Sequence, residues 1–271
     1  MINICIIAGG GNLPIIVGNK LKEQNYKITF LLLKDDLDKK IYKEFENYKL
    51  EIISLKKILN FFKNKKINKI IMLGNMIRPS IKDLGFDLTT LKFIKDNFLE
   101  KKGDNSLLLT LKKFFEDNEI NFFDWTSYCH DIFSNEIYLT KQKPSKSALE
   151  NLKKSIKVFK YFGQSDVGQS MIVQNKLVLG LEAIEGTDEL IKRCHKYKKK
   201  GDKGQLIKFS KFKQSNLLDI PSIGINTIKL LKKYNYEGMF LEKNKCIIIE
   251  KDKVVDFSNK NKLFISCVKI D

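Results

Sequence analysis

Residues 2–14, I-N-I-C-I-I-A-G-G-G-N-L-P, decide how the rest of the chain is read. Residues 2–8 are apolar and end in glycines, which suits a buried strand. Pro14 favours the first position of a helix running over 14–24. Glycines between a strand and a helix let the backbone approach a phosphate. The free N–H groups at the helix N-terminus then stabilise its charge. The same residues also make a plain tight turn, and both readings stand at this point. A dinucleotide fingerprint needs a third small residue where Pro14 stands, so classical NAD binding is disfavoured. Asp35 and Asp36 do fall where a ribose-binding acid would sit.

Working outward, residues 27–33 (K-I-T-F-L-L-L) and 68–73 (N-K-I-I-M-L) are two more apolar runs of strand length. Helical patterns near 36–47 and 55–65 flank a short strand over 50–54. Helices over 87–98 and 105–117 precede a last strand at 120–123. Strands alternating with helices predict parallel βαβ units in a Rossmann-like N-terminal domain.

The pattern changes at the polar stretch 134–147, which contains Pro144 and reads as a linker. With 271 residues the chain exceeds one typical domain, so two are expected, 1–135 and 136–271. In the second, a helix fits 146–161, and strands 170–174 and 177–183 flank an Asn175-Lys176 hairpin turn. Thr187 and Asp188 offer an N-cap to the next helix. A helix after Pro221 and strands at 238–242, 245–250 and 263–268 complete a distinct mixed α/β domain. The Lys-rich tract 196–203 reads as a solvated helix end or loop.

Composition excludes several classes. Hydrophobic residues at 43% and charged residues at 30% are those of a folded domain, not a disordered chain. With 15 Gly, 4 Pro and 5 Cys, collagen and disulfide scaffolds are excluded too. The net charge is +18, yet Arg78 and Arg193 are the only arginines among 50 basic residues. Base readout favours Arg, and the lysines run along the whole chain, so no nucleic-acid partner is expected. A basic surface still attracts anionic headgroups or phosphorylated substrates. The cysteines are odd in number without a CxxC pair, as in reduced intracellular proteins. No signal peptide or spanning segment is evident, so a cytoplasmic location is expected.

Several polar islands interrupt the apolar pattern. Asn75 and Arg78, in G-N-M-I-R-P-S (74–80), follow a strand end and so come near the glycine turn. Arg78 is suited to bidentate phosphate contact or to helix capping. Asp104, in K-K-G-D-N-S-L-L (101–108), reads as an N-cap. Three islands in the second half bring Asp166, Gln169, Glu182, Glu185, Asp188 and Asp219 beside glycines. Carboxylates of this kind can hold Mg²⁺ together with phosphate oxygens, or orient a water. They are equally caps and polar hairpin faces. Glu182 and Glu185 reach one site only if their strand has ended by 184. His130 and His195 lack metal-ligand spacing and read as structural. The helix 55–66 is basic and amphipathic, fit for a membrane surface or for covering a sheet.

Six segments in order resemble the LpxI family, single-chain UDP-2,3-diacylglucosamine diphosphatases of bacterial lipid A biosynthesis. They are I-A-G-G-G-N-L-P (7–14), G-N-M-I-R-P (74–79), K-G-D-N-S-L-L (102–108), D-V-G-Q-S (166–170), E-A-I-E-G-T-D (182–188) and D-I-P-S-I-G-I-N-T-I (219–228). The resemblance implies two domains holding substrate in a cleft between them. It implies Mg²⁺-dependent hydrolysis of the pyrophosphate to UMP and 2,3-diacylglucosamine 1-phosphate, with water attacking the phosphorus next to the sugar. The family's essential aspartate falls on Asp219.

On this basis Asp219 is the expected catalytic residue and, with Asp188, the expected metal ligand, Glu185 being the alternative second carboxylate. Substrate contacts are expected from Gly9, Gly10, Gly11, Asn12, Asn75, Arg78, Asp104, Asp166, Gln169, Glu185, Gly186, Thr187 and Asp188. The implied partners are a lipid-linked sugar nucleotide and, transiently, the inner-membrane surface. A homodimer is compatible with the sequence. A non-catalytic sugar-nucleotide sensor using the same residues is the rival reading.

Overall fold

The isoleucines of β1 (Asn3–Ala8) are buried on both faces, as the apolar run requires. In the computed structural model, which describes residues 2–33, 42–75, 84–85, 87–98, 104–164, 167–211 and 220–270, the chain forms two compact units, Met1–Cys129 and His130–Asp271.

In the first unit β1 lies between β2 (Lys27–Leu32) and β4 (Lys69–Leu73), with Ile4 opposite both Ile28 and Lys69. Adding β3 (Glu46–Lys49) and β5 (Asn121–Phe122) gives an all-parallel sheet in the order β3-β2-β1-β4-β5. The order reverses between β1 and β4, so loops leaving their carboxyl ends meet at a switch point, where open α/β sheets collect ligands.

Helix α1 (Leu13–Glu23) presses close to β2 because a Cβ at Gly18 would come 2.7 Å from the Phe30 ring. The close helix–strand approach that a small residue at 14 would have allowed is thus supplied one turn later. In α2 (Leu55–Lys65), Ser54 caps the start by accepting from the Lys57 N–H at 3.1 Å. Its Leu55, Ile58 and Phe62 are buried, and Phe62 packs on Phe115, so the apolar face serves the core. This is the sheet-covering arrangement. Helices α3 (Leu88–Phe98) and α4 (Asp104–Asp117) complete the unit.

The region 42–54 differs from expectation. Residues 46–49 are an edge strand rather than a helix end, and 50–54 are not a regular strand. The edge carries Glu46, which takes Lys65 at 2.8 Å and Tyr48 at 2.6 Å. A half-exposed polar strand has no apolar run to reveal it.

The second unit centres on a sheet ordered β12-β10-β8-β6-β7. It comprises β6 (Ser170–Gln174), β7 (Leu177–Leu181), β8 (Gln205–Lys208), β10 (Gly238–Glu242) and β12 (Phe264–Val268). β8, β10 and β12 are parallel, while β6 is antiparallel to both β7 and β8. The hairpin turns at Asn175 and Lys176, both left-handed with φ of 49° and 61°. The Lys-rich loop braces it: Gln174 Nε2 donates to the carbonyls of Lys199 and Asp202 at 2.9 and 2.6 Å.

Alternation along the strands builds two cores. Met171, Val173, Ile207, Phe240 and Phe264 face α5 (Lys146–Phe162) through Ala148, Leu152 and Phe159. Ile172, Leu206, Met239 and Ile265 face α6 (Thr187–Cys194), α7 (Ile225–Lys233) and α8 (Lys251–Lys260). Each fully buried side chain of this kind contributes about 1.5–3 kcal/mol.

The central β8 and helix α8 escape the sequence reading. β8 has four residues bounded by lysine-rich segments, and α8 is polar on most of its surface. The expected strand 245–250 shrinks to β11 (Ile247–Ile248), paired with β9 (Ser222–Ile223). The stretch 134–140 is not a free linker. Tyr138 bridges Ser266, and Leu139 N donates to Ile265 O at 3.0 Å, so this polar segment covers the β12 edge.

Candidate functional site

In the first unit, the turn after β1 is bonded to the turn after β4. Gly9 N donates to Leu73 O at 2.8 Å, Gly10 N to Asn75 O at 3.1 Å, and Asn75 N to Gly10 O at 2.7 Å. Gly74 has φ of +92°, and a Cβ there would lie 2.6 Å from Gly10 O. The residue must therefore be glycine for the two turns to join. Gly11 also has positive φ, +89°, and leads into α1 through Asn12, whose side chain makes no capping bond. The first-turn N–H groups of α1 have no intrahelical partners and carry the positive end of the helix dipole. The structure thus brings Gly9, Gly10, Gly11, Asn12 and Asn75 together. Asp104 opens α4. Arg78 lies outside the described residues.

In the second unit, the two longest islands converge. A cavity of about 410 Å³ is lined by Glu185, Gly186, Thr187, Asp188 and Glu189 on one side. Ser222, Ile223, Gly224, Thr227 and Ile249 line the other. Gly186, with φ of +80°, is the N-cap of α6, and Gly224 is the N-cap of α7. Two helix N-termini therefore border one cavity, an arrangement that favours an anion. The Thr187–Asp188 cap does not form; the cap is Gly186, with no side-chain bond. Thr187 instead turns its hydroxyl inward.

β7 ends at Leu181, so Glu182 and Glu185 are freed from strand alternation. They nevertheless do different things. Glu185 accepts from Arg193 Nε at 3.0 Å and Nη2 at 2.8 Å, and from Ala183 N at 3.1 Å. Burial alone would raise its carboxyl. The surrounding N–H groups and the Arg193 guanidinium hold it below the ordinary range. Its charge is already met by an arginine.

Asp188 is held differently. Thr227 Oγ1 donates to its Oδ1 at 2.8 Å, and Oδ2 has no hydrogen-bond partner among the described residues. Asp188 is thus the better placed of the two carboxylates to meet a cation. A lining of carboxylate, hydroxyl and backbone groups offers oxygen donors, as a hard divalent ion requires. Among the described residues no three His, Cys, Asp or Glu side chains gather as a ready-made metal site.

Glu182 lies deeper, 8% exposed, beside Lys208 at 5%. Its Oε2 accepts from Gln169 N at 3.1 Å and its Oε1 from Thr187 Oγ1 at 2.8 Å. Burial would raise the carboxyl, but the Lys208 charge and the Ser170, Thr187 and Gln169 bonds outweigh it and hold it low. A Cβ on Gly168 would sit 2.2 Å from Glu182 O, which explains the glycine of D-V-G-Q-S.

Asp166 and Asp219 lie outside the described residues. The cavity nonetheless takes in Ser222, Ile223 and Gly224, just beyond Asp219 in the same island. Ser222, Gly224, Thr227 and Lys208 were not singled out from sequence. The first three stood inside a quoted motif. Lys208 is one lysine among many, and only its burial distinguishes it.

A parallel unit with a glycine turn at its switch point, joined in sequence to a mixed unit whose α6 and α7 start at an oxygen-lined cavity, defines a two-domain α/β protein. Residues 3–132 match the family model of the LpxI N-terminal domain, and residues 135–266 match that of the LpxI C-terminal domain. The chain belongs to the LpxI family. It is also 24% identical over 267 residues to the UDP-2,3-diacylglucosamine pyrophosphatase LpxI of Caulobacter vibrioides, covering 96% of this chain and 95% of that one.

Proposed function

We propose that this chain hydrolyses the pyrophosphate of UDP-2,3-diacylglucosamine, giving UMP and 2,3-diacylglucosamine 1-phosphate for lipid A biosynthesis. The observation that carries the reading is the meeting of E-G-T-D (185–188) and S-I-G-I-N-T (222–227) at one cavity, in a chain matched to LpxI over both units.

The chemistry follows from the lining. N–H groups at the starts of α6 and α7 stabilise phosphate oxygens, while Asp188 and Glu189 in the same turn repel them. A divalent cation would relieve that conflict, and Mg²⁺ is the ion we assign. Asp188 and Asp219 would hold it, and when bound it supplies charge neutralisation on the diphosphate. Asp219 orients or deprotonates the attacking water. A bond forms from water oxygen to the phosphorus next to the sugar, the bond from that phosphorus to the bridging oxygen breaks, and UMP leaves with the bridging oxygen. The glycine turn and Arg78 contribute further phosphate contacts.

No helix among the described residues is long and apolar enough to cross a membrane. With an acylated substrate we assign a cytoplasmic enzyme working at the inner-membrane surface, where lysines meet anionic headgroups. Sedimentation with anionic vesicles and the mass in solution read this contact and any homodimer. The deciding experiment incubates purified protein with UDP-2,3-diacylglucosamine and Mg²⁺. UMP release, stopped by EDTA and restored by Mg²⁺, is expected. Binding without UMP would instead identify a sugar-nucleotide sensor.

A further inference from the structure

Behind the cavity, the buried Lys208 ends the central strand β8 and points its ammonium at the start of α6. Its Nζ donates to Thr187 Oγ1 at 2.7 Å and to Ser170 Oγ at 3.3 Å, with Glu182 Oε2 at 3.9 Å. The Thr187 hydroxyl donates onward to Glu182 Oε1 at 2.8 Å. Lysine and glutamate thus meet through the hydroxyls of Thr187 and Ser170, with Thr187 the closer link to the lysine. A hydroxyl has one proton to give, and that of Thr187 goes to Glu182. The Thr187 hydroxyl is therefore engaged on the side of the buried pair. A buried ion pair is a poor way to gain stability, since apolar residues of similar volume commonly serve as well. What it does supply is fixed geometry, with strands β6 and β8, the segment after β7 and a helix start tied to one point.

We propose that the Lys208–Glu182 pair is a positioning device for the reaction: it grips the Thr187 hydroxyl from behind and sets the first turn of α6 so that its N–H groups face the cavity. The inference rests on the pyrophosphatase reading and deepens it. Neither residue lines the cavity. A helix start displaced by a fraction of an ångström presents weaker donors to phosphate, and the loss falls first on binding.

The test measures KM and kcat for UMP release, together with Tm, on the full chain. The variants are Thr187→Val, Thr187→Ser, Lys208→Met and the double variant Glu182→Gln with Lys208→Met. T187V and K208M are expected to raise KM about tenfold or more with a smaller change in kcat. T187S should recover most of what T187V loses. The double variant leaves no unpaired buried charge, so its Tm should return toward wild type while its KM stays raised. Should K208M fail to fold, T187V and the double variant carry the test. An unchanged KM in T187V, or a defect that simply follows Tm across the set, overturns the proposal. Wild-type protein releasing no UMP would instead remove the pyrophosphatase reading itself.

Discussion

Thr227, in the first turn of α7, donates its hydroxyl to Asp188, in the first turn of α6, at 2.8 Å. The bond ties the two helix starts that border the cavity and leaves one oxygen of Asp188 to face other partners. Thr227→Val removes it with little change in shape. We expect a stability loss of about 1 kcal/mol and a fall in kcat/KM of roughly tenfold, equivalent to ~1.4 kcal/mol. Urea unfolding and UMP release measure the two. Unaltered kinetics would show that Asp188 needs no such orientation.

Asp219→Ala should abolish UMP release while leaving circular dichroism and cooperative unfolding intact. Near-normal turnover would take Asp219 out of the chemistry.

Gly168→Ala places a Cβ 2.2 Å from the carbonyl oxygen of Glu182. The neighbour is backbone and cannot swing aside, so overpacking should cost about 1–3 kcal/mol. Gly186→Ala makes the instructive contrast. Its added Cβ meets nothing within 4 Å, and only the φ of +80° penalises it. A Tm for G168A equal to that of wild type would contradict the close approach of these segments.

Glu182 is held below its ordinary pKa in the folded protein, so its contribution to stability is present above the unfolded value and lost as pH falls through the folded one. The unfolded value is roughly 4.3. Glu182→Gln should therefore be less stable than wild type near neutrality, and the gap should narrow as pH drops below that value. Urea midpoints for both proteins across this range give the comparison. A gap that stays constant would mean that Glu182 is not charged in the native state.

Much of the first unit was legible because its strands are buried on both faces. Residues 4–8 and 70–73 are unbroken apolar runs and 28–32 is interrupted only by Thr29, the pattern of strands covered on both faces. The 175–176 turn was legible for a related reason: two short apolar strands meet at an asparagine that tolerates positive φ. β3 and β8 were not. A half-exposed edge strand and a four-residue central strand lack a period long enough to read.

Local chemistry alone was enough to mark the glycine turn, the E-G-T-D helix start and the lysine-dominated charge, since each is set by a few neighbouring residues. What those groups do to one another was decided only by tertiary structure. Arg193 claims Glu185, Thr227 holds Asp188, and Lys208 reaches back to Thr187 across sequence separations of 8, 39 and 21 residues. Burial and distance determine which carboxylate is paired with an arginine and which is held by one hydroxyl, and neither quantity is written in the order of residues.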